Sequence, residues 1–183
     1  MWAAIILGLV TLQRVGELVL ARANTARLLA EGAREVGADH YPLLVALHGA
    51  WLTSLWIWGY DQPVNLPLLA VFVILQGLRG WVIASLGRRW TTRIIVVPGA
   101  PLVTVGPYRF VAHPNYVVVA AEIVVLPLML DLPAIALVFT VLNAIVLGIR
   151  ISAENHALAT AQEAENQTEN QSGATTPPAV PVA

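Results

Sequence analysis

The sequence predicts an all-α integral membrane protein with five transmembrane helices, on the evidence of its composition and its hydropathy pattern. Hydrophobic residues make up 57% of the 183 residues and charged residues 11%, whereas about 25% of an ordinary soluble domain is charged. The chain contains five apolar runs, most of them close to the roughly 20 residues that cross the hydrocarbon core of a bilayer. They predict spans at residues 2–21, 42–60, 66–86, 116–130 and 134–149.

The charge and the cysteine count narrow the classes of partner and chemistry. The formal net charge is -1, so the sequence does not indicate nucleic-acid binding. There is no cysteine, which excludes disulfides, thiolate chemistry and cysteine-ligated metals. No metal site and no obligate protein partner are expected.

The first predicted span carries two charged residues. Arg14 and Glu17 lie three positions apart, so they share a helix face and can pair, either to lock helix packing or as part of a functional interior. The run has no small-residue cleavage motif, so it is expected to be a retained span and not a signal peptide. In the polar segment that follows, Asn24 and Thr25 predict the cap of a short interfacial helix at residues 26–31 that ends at Gly32.

The second and third predicted spans each contain polar residues. His48 lies in an apolar helix, where a hydrogen-bonded packing residue is expected, and tryptophans with Tyr60 near the far end are typical of an aromatic belt. A short turn without arginine, at residues 61–65, leads to the third span, which contains Gln76 and Arg79.

The fourth and fifth predicted spans form a helical hairpin. The turn at residues 131–133 is tight, Glu122 lies in the fourth span, and Pro127 is expected to kink it near the membrane surface. A helix is predicted to continue from the fifth span into solvent. Together, residues 1–165 are predicted to form one membrane domain. Residues 166–183 have too few apolar side chains for a core and are predicted to be a disordered tail.

The arginines predict the orientation. Eight of the ten positive charges fall in the first connection, the third connection and the end of the fifth span. In the other two connections the only charged residue is an aspartate. By the positive-inside rule, the arginine-bearing ends are cytoplasmic. The prediction is therefore a multi-pass protein of the cell (inner or cytoplasmic) membrane, with its N-terminus outside and its C-terminus in the cytoplasm.

The segment from Gly99 to Tyr116 is the most unusual part of the chain. Its glycines and prolines forbid a continuous helix, and it ends in a His-Pro-x-Tyr cluster in which His113 and Tyr116 share a face of the next helix. The N-terminus of that helix, near Pro114, suits an anionic group. Arg150 and Glu154 lie four apart on the fifth helix, and the hairpin brings both pairs to one membrane surface. Convergence of His113, Tyr116, Arg150 and Glu154 is therefore predicted.

Two stretches, LGRRWTTRIIVVPGAPLVTVGPYRFVAHPNY and RISAENHAL, resemble the isoprenylcysteine carboxyl methyltransferase family, and in particular its short bacterial branch. The resemblance implies transfer of a methyl group from S-adenosyl-L-methionine to an oxygen of a lipophilic acceptor. It implies that Arg150 faces the acceptor and that a cytoplasmic loop and the C-terminal helix hold the cofactor. A phenol acceptor would need a base, for which His113 and Glu154 are the candidates in this group of residues. The implied cofactor-binding residues are Arg93, Leu102, Val103, Tyr108, His113, Pro114, Tyr116 and Glu154.

Two positions depart from the family pattern. Ala112 stands where the family usually has arginine, which removes a charge from the expected mouth of the cofactor site. Asn155 replaces the second acid of the usual Glu-Glu pair.

Several interpretations remain open at this point. The acceptor is a carboxylate or a phenolic, polyketide-type hydroxyl, dissolved among membrane lipids. One alternative is a lipid reductase on a related architecture. Another is a non-catalytic scaffold or small carrier, in which Arg14, Glu17, Arg79 and Glu122 would form an interior polar network.

Overall fold

The computed structural model is mostly helical and describes residues 1–97 and 103–172, with side chains described up to residue 153. In these ranges the chain forms a set of long helices and two short strands. The helices are α1 (Trp2–Ala30), α2 (Tyr41–Gly59), α3 (Leu66–Leu86), α4 (Pro114–Met129) and α5 (Pro133–Ser172), and the strands are β1 (Arg34–Val36) and β2 (Ile94–Val96).

Three helical segments of the described chain are long and apolar enough to cross a membrane, at Trp2–Ala30, Leu66–Arg89 and Pro133–Ala153. The chain is therefore a membrane protein. Helix α4 is apolar but has only 16 residues. Helix α2 has 19 residues and is not among these three segments. The count of five spans stays a prediction, although a helix occupies each predicted position.

Helix α1 continues beyond the first predicted span to Ala30, so the prediction of a separate capped helix at residues 26–31 was wrong. Asn24 and Thr25 are buried inside α1. Asn24 uses its side chain in a tertiary contact, where Nδ2 donates to the backbone oxygen of Trp90 at 2.8 Å. The sequence suggested a cap because asparagine is a common N-cap residue, and the distant carbonyl that it binds is not visible locally.

The two strands join the first and third connections. They pair antiparallel, with Arg34 opposite Val96 and Val36 opposite Ile94. Beside them, Arg93 Nη1 lies 2.7 and 2.9 Å from the two carboxylate oxygens of Glu35. The all-α prediction missed this sheet, because strands of three residues are too short for a recognisable alternating pattern.

The second and fourth connections meet at the opposite end of the helices. The backbone N–H of Asn65 donates to the carbonyl of Met129 at 2.9 Å. Gly59 packs so closely there that an added Cβ would lie 3.0 Å from Leu130 Cδ1. The connections therefore sort into two groups at opposite ends, as the arginine pattern predicts.

Helices α4 and α5 form the predicted hairpin, and Pro127 lies within the last turn of α4. Asp131 takes the left-handed conformation in the turn, with φ 56°. Helix α5 contacts α2, α4 and both strands. It continues to Ser172, past the predicted start of the tail, and residues 173–183 lie outside the described residues.

Candidate active site

Tyr116 and Arg150 meet at the sheet end of the α4–α5 hairpin. Arg150 Nε donates to the hydroxyl oxygen of Tyr116 at 2.8 Å, and its guanidinium carbon lies 5.5 Å from the centre of the tyrosine ring. The Arg150 residue is only 7% exposed. A buried guanidinium is thus held in one orientation by a neighbouring aromatic hydroxyl.

His113 extends this arrangement on the N-terminal side of α4. It is the N-cap residue of the helix, and its ring stacks on Tyr116 with centroids 5.1 Å apart and planes at 15°. Pro114 takes the first helical position and is buried, where its missing N–H costs no hydrogen bond. The predicted convergence of His113, Tyr116 and Arg150 is present in the structure. Leu102 and the side chain of Glu154 lie outside the described residues.

A cavity of about 270 Å³ reaches from this pair into the space between the helices. Tyr116 and Arg150 both line it, and most of the lining surface is apolar. A mainly apolar wall with a few placed polar groups is typical of small-molecule sites. The apolar lining residues are Val15, Leu18, Leu44, Val45, Trp51, Leu52, Trp90, Val119 and Leu147, and the polar ones include Arg14, Glu17, His48, Arg79, Asn115 and Asn143.

One wall of the cavity is built by the start of α2 and the third connection. Tyr41 lines it, and its hydroxyl oxygen lies 3.1 Å from Thr92 Oγ1. The guanidinium of Arg93 lies 4.4 Å from the centre of the Tyr41 ring and is paired with Glu35. Arg93 is not among the residues that line the cavity. The contacts of this predicted cofactor residue are with Glu35 of the sheet and with Tyr41.

Two further predicted residues lie away from this cavity. Val103 lines a separate, open surface depression beside Arg88 and Arg89. Tyr108 lies in the 3-10 turn Gly106–Arg109, where its N–H donates to the carbonyl of Val105 at 3.3 Å. Their assignment to a cofactor site remains a prediction.

The turn that contains Tyr108 is fixed against α3 at Gly106. This residue has φ +61°, and an added Cβ would lie 2.2 Å from Ser85 Oγ. Only glycine fits this combination of backbone angle and close approach. The described part of the loop is therefore seated on the end of α3.

A cluster of four charged residues lies between α1, α3 and α4, and three of them, Arg14, Glu17 and Arg79, line the cavity. Arg14 pairs with Glu17 at 3.1 Å and with Glu122 at 2.8 Å. Arg79 pairs with Glu122 at 2.9 Å and with Glu17, and Gln76 donates to Glu122 at 2.8 Å. The predicted Arg14–Glu17 pair is thus confirmed as part of a larger network. Two arginines and two glutamates balance, as buried charges require.

Sequence reasoning missed several residues of this site. Asn115 lies between Pro114 and Tyr116 in the predicted motif, lines the cavity, and has a buried Oδ1 with no hydrogen-bond partner among the described residues. His48 was interpreted as a packing residue, and it lines the cavity too. The motif signalled Asn115 by position alone, whereas only the packing of α2 reveals His48. In the described residues, no three His, Asp or Glu side chains converge as a metal site would require.

The fold and site can be compared with known proteins. Residues 68–160 match the profile of the isoprenylcysteine carboxyl methyltransferase (ICMT) family. The chain is 37% identical over 159 residues to uncharacterized protein YpbQ of Bacillus subtilis (strain 168), a match that covers 84% of this chain and 95% of that protein. It is 26% identical over 137 residues to an uncharacterized protein of Haemophilus influenzae, covering 72% and 80%. No solved structure matches the chain.

Proposed function

Because the chain belongs to the isoprenylcysteine carboxyl methyltransferase family, we propose that this membrane methyltransferase transfers a methyl group from S-adenosyl-L-methionine to an oxygen of a lipophilic acceptor. One observation carries the proposal. The Arg150–Tyr116 hydrogen bond stands at the edge of an apolar cavity that lies between membrane helices. The family match covers both residues.

The cavity is the proposed acceptor site. Its apolar wall suits a hydrocarbon chain that partitions into the bilayer, and its volume of about 270 Å³ is near the lower end of the usual range for small-molecule sites, roughly 300–1,000 Å³. The reactive oxygen would then lie toward Arg150, whose guanidinium can hold a carboxylate or a phenolate in its ionised form. A phenolic or polyketide-type hydroxyl and a carboxylate are both compatible with this arrangement.

The residues at the head of α4 fit a cofactor of this kind. The buried Asn115 Oδ1 lacks a partner among the described residues, and it is an acceptor suited to a ligand that donates from an amino group. The stacked rings of His113 and Tyr116 offer an aromatic surface beside it. We propose that these residues hold S-adenosyl-L-methionine together with Pro114, and with Leu102 and Glu154 as the family resemblance implies. When bound, the cofactor supplies a methyl group on a positively charged sulfur.

The protein's own contribution is position and exclusion of water. Arg150 is oriented by Tyr116 and buried, so it can fix the acceptor oxygen without reorganising. Holding reactants in line accounts for a large part of such rate enhancements. The apolar wall also strengthens the electrostatic interactions at the oxygen.

We also propose the full topology, five spans with the N-terminus outside and the site at the cytoplasmic surface of the cell membrane. Its support is the sorting of connections, since the arginine-rich first and third connections pair through β1 and β2 and the other two meet at the far end. The shorter helices α2 and α4 would cross with the longer ones because they pack against α5.

Direct binding of the cofactor tests the proposal. Purified protein in lipid nanodiscs would be titrated with S-adenosyl-L-methionine by calorimetry, and then supplied with labelled cofactor and two acceptors, an alkylphenol and a fatty acid. We expect saturable binding and label in at least one acceptor. Absence of binding at cellular cofactor concentrations would overturn the proposed function.

A further inference from the structure

His48 occupies the cavity wall with a defined hydrogen-bonding state. Its Nδ1 lies 2.9 Å from the carbonyl oxygen of Leu44, one turn earlier in α2. A carbonyl can only accept, so Nδ1 carries the ring proton and the neutral imidazole keeps its lone pair on Nε2. That nitrogen lies on the side of the ring away from the Leu44 carbonyl. His48 therefore offers a basic nitrogen directed away from its backbone anchor.

The other acidic or basic groups of the described cavity wall are already engaged. The two carboxylate oxygens of Glu17 accept hydrogen bonds from Gln13, Arg14 and Arg79. The hydroxyl oxygen of Tyr116 accepts from Arg150. A glutamate neutralised by two arginines is a poor base, and so is a tyrosine oxygen that receives a guanidinium N–H. The imidazole of His48 keeps a nitrogen lone pair that can accept a proton.

Charged groups from α1, α3 and α4 act on His48, and a further one from α5 lines the same cavity. Arg14 from α1, Arg79 from α3 and Glu122 from α4 all act on the imidazole through their charges, and Glu17 and Arg150 line the same cavity. The first three and Glu17 are paired with one another. The formal charges of these four residues sum to zero, and Arg150 adds one positive charge to the same cavity.

We propose that His48 is a catalytic residue that accepts the proton of a hydroxyl acceptor, with a phenol on a hydrocarbon chain as the substrate class. The inference rests on the proposed function. The acceptor O–H bond breaks and its proton goes to Nε2 of His48. The oxygen uses the released electron pair to bond the donated methyl carbon, and the electron pair of the broken carbon–sulfur bond stays on sulfur. The imidazolium afterwards returns its proton to water.

The location of His48 suits an acceptor that lies along α2. His48 comes about 10 Å after Tyr41 along the helix, at 1.5 Å per residue, and Leu44, Val45 and Leu52 line the cavity on either side of it. An acceptor with its oxygen between Arg150 and His48, which both line the cavity, would have apolar wall on either side. A carboxylate acceptor is already ionised at neutral pH, so only a hydroxyl acceptor needs this base.

The first test needs no cofactor. A dodecyl-substituted nitrophenol would be bound to the protein in nanodiscs, and its phenolate absorbance followed against pH in wild type and in His48→Gln. Glutamine keeps a hydrogen-bonding side chain but cannot take a proton. We expect the bound phenol to ionise at a lower pH in wild type than in the variant. Coincident titrations of the two proteins would overturn the assignment.

The second test compares turnover of two acceptors with the same chain. We expect His48→Gln to slow methylation of the dodecylphenol roughly hundredfold, within the range of general base catalysis, and to slow methylation of the more acidic nitrophenol far less. Leu52→Ala is the matched control, since it alters the same wall and should slow both acceptors equally. Equal losses in His48→Gln, or no methylation of either phenol by wild type, would overturn the inference. Loss of cofactor binding in wild type would instead overturn the proposed function.

Discussion

Arg150 donates its Nε hydrogen to the hydroxyl oxygen of Tyr116 at 2.8 Å, across the α4–α5 hairpin. The two residues are 34 positions apart in the sequence, and the turn at residues 130–132 makes them neighbours. The bond fixes the guanidinium beside the stacked rings of Tyr116 and His113. It therefore links the candidate acceptor side of the site to the candidate cofactor side.

Removing the hydroxyl of this pair should destabilise the protein. In Tyr116→Phe the buried Nε of Arg150 loses its acceptor, which costs about 1–3 kcal/mol when the group left behind is buried. The free energy of unfolding in mixed micelles measures this. Tyr41→Phe is a control, because it removes a neutral hydroxyl contact with Thr92 and should cost only about 0.5–1.5 kcal/mol. Equal losses in the free energy of unfolding for the two variants would show that the Arg150 contact stabilises the protein no more than a neutral hydroxyl contact does.

Substitutions at the candidate cofactor end and at the candidate acceptor end of the site should have different effects on binding and turnover. We expect Glu154→Ala to weaken binding of S-adenosyl-L-methionine, and Arg150→Ala to leave that binding nearly unchanged while reducing turnover. Calorimetry and a labelled methyl-transfer assay on the same preparations measure both. If Glu154→Ala binds the cofactor as tightly as wild type, this acid is not a cofactor residue.

The buried charge cluster should behave as a structural unit. Glu122 is 1% exposed and pairs with Arg14 and Arg79, so Glu122→Gln leaves two arginines with one carboxylate. Breaking a buried pair in this way costs about 3–5 kcal/mol. The control is Glu31→Gln, which removes the exposed partner of Arg27 and should cost about 0–1 kcal/mol. A small loss in Glu122→Gln would indicate that water or lipid contacts replace the ion pair.

Substitution of Ala112 tests whether its departure from the family pattern affects binding of the cofactor. The residue is exposed and directly precedes His113, so Ala112→Arg would add a positive charge beside the candidate cofactor site. We expect tighter binding of S-adenosyl-L-methionine, whose carboxylate would face that charge, with an effect that weakens as salt screens it. Unchanged or weaker affinity at low salt would place Ala112 away from the mouth of the site.

The sequence predicted the parts of the fold that depend on local pattern. Apolar runs located the helices, the short turn at residues 131–133 predicted the hairpin, and spacing predicted that Tyr116 and Arg150 would meet. Contacts between segments that are not joined by a short turn were not predictable. Asn24 binds the distant carbonyl of Trp90 from inside α1. The pairing of Arg93 with Glu35 gives that arginine a structural contact. His48 became a candidate only when packing placed it in the cavity wall.

The proposed orientation can be tested with single cysteines, because the chain has none of its own. We would introduce Asp61→Cys in the second connection and Arg109→Cys in the third, and label intact cells with a membrane-impermeant maleimide. Both residues are exposed, so access to label depends on which side of the membrane each one faces. We expect labelling of Asp61→Cys in intact cells and of Arg109→Cys only after lysis. The opposite result would reverse the orientation, and labelling of both in intact cells would contradict the five-span topology.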